Sequence, residues 1–118
     1  MSRTRRALAV AAGLLLGASS AAAHHGWSSY DATKPLSLEG TIRESGYEHP
    51  HGFVKLETPE KTWLVVLAPP SRMENRGLPR EMLKPGTKAT VVGYQKRDDP
   101  VELRAERITI AGKTTELR

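Results

Sequence analysis

The sequence predicts an all-β protein: a small OB-fold-like, five-stranded, partly open barrel with a short helical segment between strands 3 and 4. Three observations predict it. Stretches of alternating apolar and polar residues recur between turn signals. A helical stretch falls between the third and fourth of them, and the chain beyond its leader is long enough for one core and too short for two.

Leu36, Leu38, Gly40 and Ile42 share one face and Ser37, Glu39, Thr41 and Arg43 the other, as a half-buried strand requires. Gly46 then marks a bend or bulge. A second strand, Gly52 to Thr58, turns Val54 and Leu56 inward and Lys55 and Glu57 outward, and Pro59, Glu60 and Lys61 supply a turn. The third, Thr62 to Ala68, is apolar on both faces and reads as central. Pro69 and Pro70 end it, because proline offers no ladder donor.

Ser71 with Glu74 three residues later forms a capping-box pattern that would open a short helix closing near Gly77. A further helical turn is expected from Pro79 to Leu83, and Lys84, Pro85 and Gly86 form a turn. Strand four spans Thr87 to Gln95, with a charged loop from Lys96 to Pro100. Strand five, Val101 to Ile110, changes face midway: Leu103 and Ala105 are in phase, Ile108 and Ile110 one residue out. A β-bulge near Glu106 and Arg107 would restore the register. Ala111, Gly112 and Lys113 then turn the chain into a short terminal strand.

The chain divides into residues 1–23, a cleavable signal peptide; residues 24–35, a histidine-bearing segment; and residues 36–118, the β domain. Arg3, Arg5 and Arg6 precede an apolar run from Ala7 to Gly17, and small residues up to Ala23 suit cleavage before His24. The run is shorter than the roughly 20 residues a membrane span needs. The expected location is therefore periplasmic or secreted. With no cysteine, the chain has neither disulfides nor a site for a lipid anchor.

Losing the leader lowers Lys plus Arg from 18 to 15 against 13 acids, so the high isoelectric point belongs largely to the leader. Charge and the lack of a basic stripe with interleaved aromatics both disfavour nucleic acid. There is no glycine-rich phosphate loop, nucleophile elbow or His-Glu-x-x-His helix, which points to a binding module rather than an enzyme.

All four histidines fall in two tight groups, His24 with His25 and His49 with His51. Imidazole is a common ligand of copper, zinc and nickel. Pro50 pushes His49 toward an extended conformation, in which residues two apart project to the same side. Cleavage after Ala23 would leave His24 with a free α-amine beside its imidazole; cleavage after Ala22 would put His25 third, where amine, amides and ring can surround Cu(II) or Ni(II) in a plane. The expected cofactor is Cu(II), ahead of zinc or nickel. Asp31 is expected to cap the turn that follows it, with the rings of Trp27 and Tyr30 packed on the barrel.

His24 and His25, Tyr30 and Asp31 with Pro35 following, Gly40 and Thr41, Pro50 and His51, Trp63, and the Leu83–Gly86 to Val91–Gly93 stretch together resemble the bacterial exported family catalogued as domain of unknown function 6152. The likeness spans nearly the whole mature chain. It implies a signal peptide, a His-His start and a small β-barrel-like domain, with no established activity. By that resemblance His24, His25 and His51 occupy family positions, whereas His49 stands where asparagine is usual. The competing reading is a metal-free OB-type module that binds a partner protein, peptide or glycan, with Arg72, Arg76 and Arg80 as contacts.

Overall fold

The computed structural model describes residues 26–118. The expected signal peptide and the first histidine pair, His24 and His25, lie outside the described residues. The strands are β1 (Leu36–Gly46), β2 (Phe53–Glu57), β3 (Thr62–Val66), β4 (Lys88–Lys96), β5 (Asp99–Ile110) and β6 (Lys113–Glu116). A short helix α1 (Pro70–Asn75) and a 3₁₀ turn (Arg80–Leu83) lie between β3 and β4.

The strand order is β3-β2-β1-β4-β5-β6, and β3 pairs in parallel with β5, so five strands close into a ring with β6 outside it. The expected OB-like barrel is present, closed rather than partly open. One long strand makes closure possible: β1 pairs with β4 through Leu36–Thr41 and with β2 through Thr41–Gly46. Its register breaks between Ile42 and Glu44, so the irregularity falls at Arg43 and not at Gly46. Gly46 has another use, since a Cβ there would collide with the Phe53 ring.

The expected bulge in β5 is found. Val92 opposes Arg107 while Gly93 opposes Ala105, leaving Glu106 as the extra residue. The shift of phase brings Leu103, Ala105, Ile108 and Ile110 all into the core. At the same place Gly93 admits β5 closely, because a Cβ would run into the Arg104 carbonyl oxygen. Ile42, Val54, Leu56, Val65, Val91 and Leu103 form the fully buried centre of the barrel, and Met73, Leu78 and Leu83 join it from the α1 region.

The capping box does not form. Pro70 occupies the first turn, Pro69 is the N-cap, and no side chain bonds there. Proline's fixed φ suits the first helical position, which starts the helix before Ser71 and places that hydroxyl inside it. The helix does end near Gly77 as expected, with φ 83° at Gly77 and the Leu78 N–H donating to the Met73 carbonyl at 2.8 Å.

Candidate functional site around Arg104 and His51

Strand alternation turns Leu103 and Ala105 inward and so directs Arg104 outward. Yet Arg104 is only 7% exposed. Its cover is the segment before β1, which is stapled to the β4–β5 hairpin. Tyr30 bridges to Lys96, the Asp31 N–H donates to the Gln95 carbonyl at 2.8 Å, and the Arg97 N–H donates to the Ser29 carbonyl at 2.9 Å. The Tyr30 hydroxyl donates to Glu102 Oε2 at 2.5 Å. Asp31 accepts from the Thr33 N–H at 3.0 Å, forming the expected cap of the following turn.

This anchoring holds the Trp27 ring over the β5 surface. The guanidinium carbons of Arg104 and Arg118 each lie 4.5 Å from its centre. The rings of Tyr30 and Tyr94 meet it edge-on at 6.4 and 6.2 Å. Cations over an indole face gain about 0.5–2 kcal/mol each, more when desolvated. Arg118 also pairs with Glu106 at 3.7 Å. Among the described residues Arg104 has no ion pair, and its buried Nε has no hydrogen-bond partner.

His51 comes to the same place from the loop between β1 and β2, with Nε2 3.3 Å from Arg104 Nη2. Burial first, then the charges of Arg104 and Arg72, hold the imidazole below its ordinary pKa. It is therefore neutral at pH 7. His49 is exposed, and the His49–Pro50 bond is cis. The structure brings His51 to Arg104 and leaves His49 at the surface.

The three arginines expected to meet a partner are engaged within the chain. Arg72 donates to the Leu117 carbonyl at 3.0 Å, and Arg76 to those of Glu116 and Arg118 at 2.7 and 3.2 Å. Arg80 lies over Tyr47. Arg72 and Arg76 thus tie the α1 region to β6 and the tail that follows it.

Two further groups are shifted by this packing. Burial above all lowers the Arg104 pKa, with Arg72 and Arg118 adding to the effect and Tyr30 opposing it. The Tyr30 phenol is pushed up from 10.0 to about 12 by burial, then by its bond to Glu102 and that carboxylate's charge. The unfolded chain releases this proton first, so Tyr30's contribution is complete below pH 10 and disappears as pH climbs toward 12. Denaturant unfolding at about pH 9 and about pH 11.5 should show wild type losing on the order of 2 kcal/mol through this group. Tyr30→Phe should lack that share of the loss.

Sequence reasoning missed Arg104 and Arg118. An arginine between two inward apolar residues on a strand reads as solvated, and only its coverage by Trp27, from the far end of the domain's sequence, says otherwise. Among the described residues, no three His, Cys, Asp or Glu side chains come together to hold a metal ion. No helix among them is long and apolar enough to cross a membrane.

The pattern of a family described as "Family of unknown function (DUF6152)" matches residues 11–103. No curated protein matches the sequence. Among solved structures, the chain is similar to the crystal structure of TiaS in complex with a tRNA and ATP, with TM-score 0.51 and 21% identity over 75% of this chain and 20% of that one. It is likewise similar to that of a ZRD-deleted mutant of TiaS in complex with agmatine, with TM-score 0.50 and 21% identity over 75% of this chain and 25% of that one. The chain thus spans a quarter or less of those proteins, and at this identity the likeness concerns the fold alone.

Proposed function

The chain belongs to the family of unknown function DUF6152, and because that membership brings no activity with it, we propose from the chain's own residues that it is an exported, periplasmic metal-binding module. Its ion is Cu(II), ahead of zinc or nickel, and its task is to buffer or deliver it. The observation that carries this reading is His51, a half-buried neutral imidazole separated from Trp27 by one guanidinium.

A guanidinium only donates, so the Nε2 atom that faces Arg104 carries the lone pair, and an ion bound there would take it over from Arg104. Neutral imidazole is the ligating form and needs no proton loss to bind. His24 and His25 precede Trp27 by three and two residues. An extended chain covers about 3.3 Å per residue, which gives both histidines the reach to the His51 side of the barrel. Cleavage before His24 would add its α-amine, completing a nitrogen-rich set of the kind Cu(II) favours. His49, exposed at the surface and standing where the family usually has asparagine by the resemblance, is the weakest of the four candidates.

The test is a Cu(II) titration followed by electron paramagnetic resonance on protein secreted and processed by a bacterial host. One stoichiometric, nitrogen-coordinated signal is expected, and it should vanish when an extra residue precedes His24. Weak, heterogeneous binding that ignores this extension would overturn the reading.

A further inference from the structure

Arg104 is more than nine-tenths buried, and its Nε donor has no partner among the described residues. Nor does any carboxylate among them pair with it: Glu102 is taken by the Tyr30 hydroxyl and Glu106 by Arg107 and Arg118. The groups that surround it do not neutralise it. Trp27 offers a ring face, Tyr30 a ring face and a protonated hydroxyl within its reach, and His51 a neutral lone pair. Arg72, without an ion pair among the described residues, and Arg118 add positive charge close enough to act on Arg104.

A buried cation without an opposite charge is strongly unfavourable, and an unmet buried donor adds to that cost. Cation–π contact returns only part of that. Of the three guanidinium groups only Arg118 has a carboxylate paired with it among the described residues, so an anion would complete the arrangement. Guanidinium presents a planar fork of donors matched to two oxygens at once.

We propose that Arg104, flanked by Arg72 and Arg118 beside the Trp27 ring, is a binding site for an oxyanion, a phosphate or carboxylate group of a small ligand. This goes beyond the metal reading and stands on a different observation, a buried arginine with an unmet Nε donor and no ion pair among the described residues. Where both hold, the anion would offset the positive charge that Arg104 and Arg72 place next to an ion on His51. The site takes the anion with or without metal.

The experiment uses metal-free processed protein, stripped on a chelating resin and labelled with ¹⁵N. Sodium phosphate and sodium acetate are titrated separately at constant ionic strength, with sodium chloride as the control, and the Arg104 Nε–H resonance and Trp27 fluorescence are followed. Saturable one-to-one binding of phosphate or acetate, absent with chloride, is expected. Saturation by phosphate alone identifies a phosphate site, and by acetate alone a carboxylate site.

Arg104→Met should weaken binding at least tenfold, and Arg104→Lys, which keeps charge without the fork, should weaken it less. Should Arg104→Met fail to fold, Arg118→Gln on the exposed tail serves instead, with an expected loss of roughly threefold. Equal response to all three salts, or unchanged affinity in the folded variants, overturns the proposal. Saturable anion binding by protein that gives no stoichiometric copper signal would sink the metal reading and leave this one standing; the converse result would do the opposite.

Discussion

Leu103→Ala is expected to lower the stability of the domain by about 2–5 kcal/mol, the range for truncating a fully buried leucine. Leu103 is entirely inaccessible and lies opposite Val65, itself entirely buried, where β5 pairs with β3. That parallel pairing, from Leu64 to Val66 against Glu102 to Arg104, is what closes the ring. A cavity at this point removes apolar contact from the seam and from the barrel centre together. Small domains hold only about 5–15 kcal/mol in all, so the melting temperature should fall by roughly 10–30 °C. Leu64→Ala, at a half-buried position on the other face of β3, should cost less than half as much. Urea unfolding of both variants measures the difference, and equal losses would mean that the seam is not where the core is most tightly held.

The second large effect concerns copper. On the proposed copper reading, His51→Ala should weaken Cu(II) binding by tenfold or more, because losing one of the few proposed nitrogen ligands would leave the ion to water and to the positive field of Arg104 and Arg72. His49→Ala should leave affinity within about twofold, since that side chain is exposed and shares no described partner with His51. Competition titration against a chelator of known affinity distinguishes the two. Equal losses would restore the His-x-His pair as the ligand unit; no loss in either would remove the loop between β1 and β2 from the metal site.

Much of the barrel was legible in the residues. Period-two alternation identified the strands, and the phase change between Ala105 and Ile108 identified the bulge at Glu106, because only one inserted residue can return both halves of β5 to the core. The caps were less legible. Ser71 and Glu74 have the right types and spacing, but Pro70 claims the helix start. At Gly46 the glycine accommodates a ring, and the bulge sits three residues earlier. Such choices depend on what stands opposite each residue, which spacing along one strand does not contain.

Residue order alone was enough to establish an all-β barrel with its helical insert, membership of a family that matches residues 11–103, and the grouping of four histidines. Periodicity and turn chemistry are local properties, readable over a handful of residues. Three other features were settled by folding: the ring closes through a parallel β3–β5 pair, His51 rather than His49 is drawn against the barrel, and Arg104 is buried with no ion pair among the described residues. They arise where segments distant in the chain meet: Trp27 covers a strand position that alternation alone assigns to solvent. Burial and charge balance there are set by what folds over a residue, and that is decided in space.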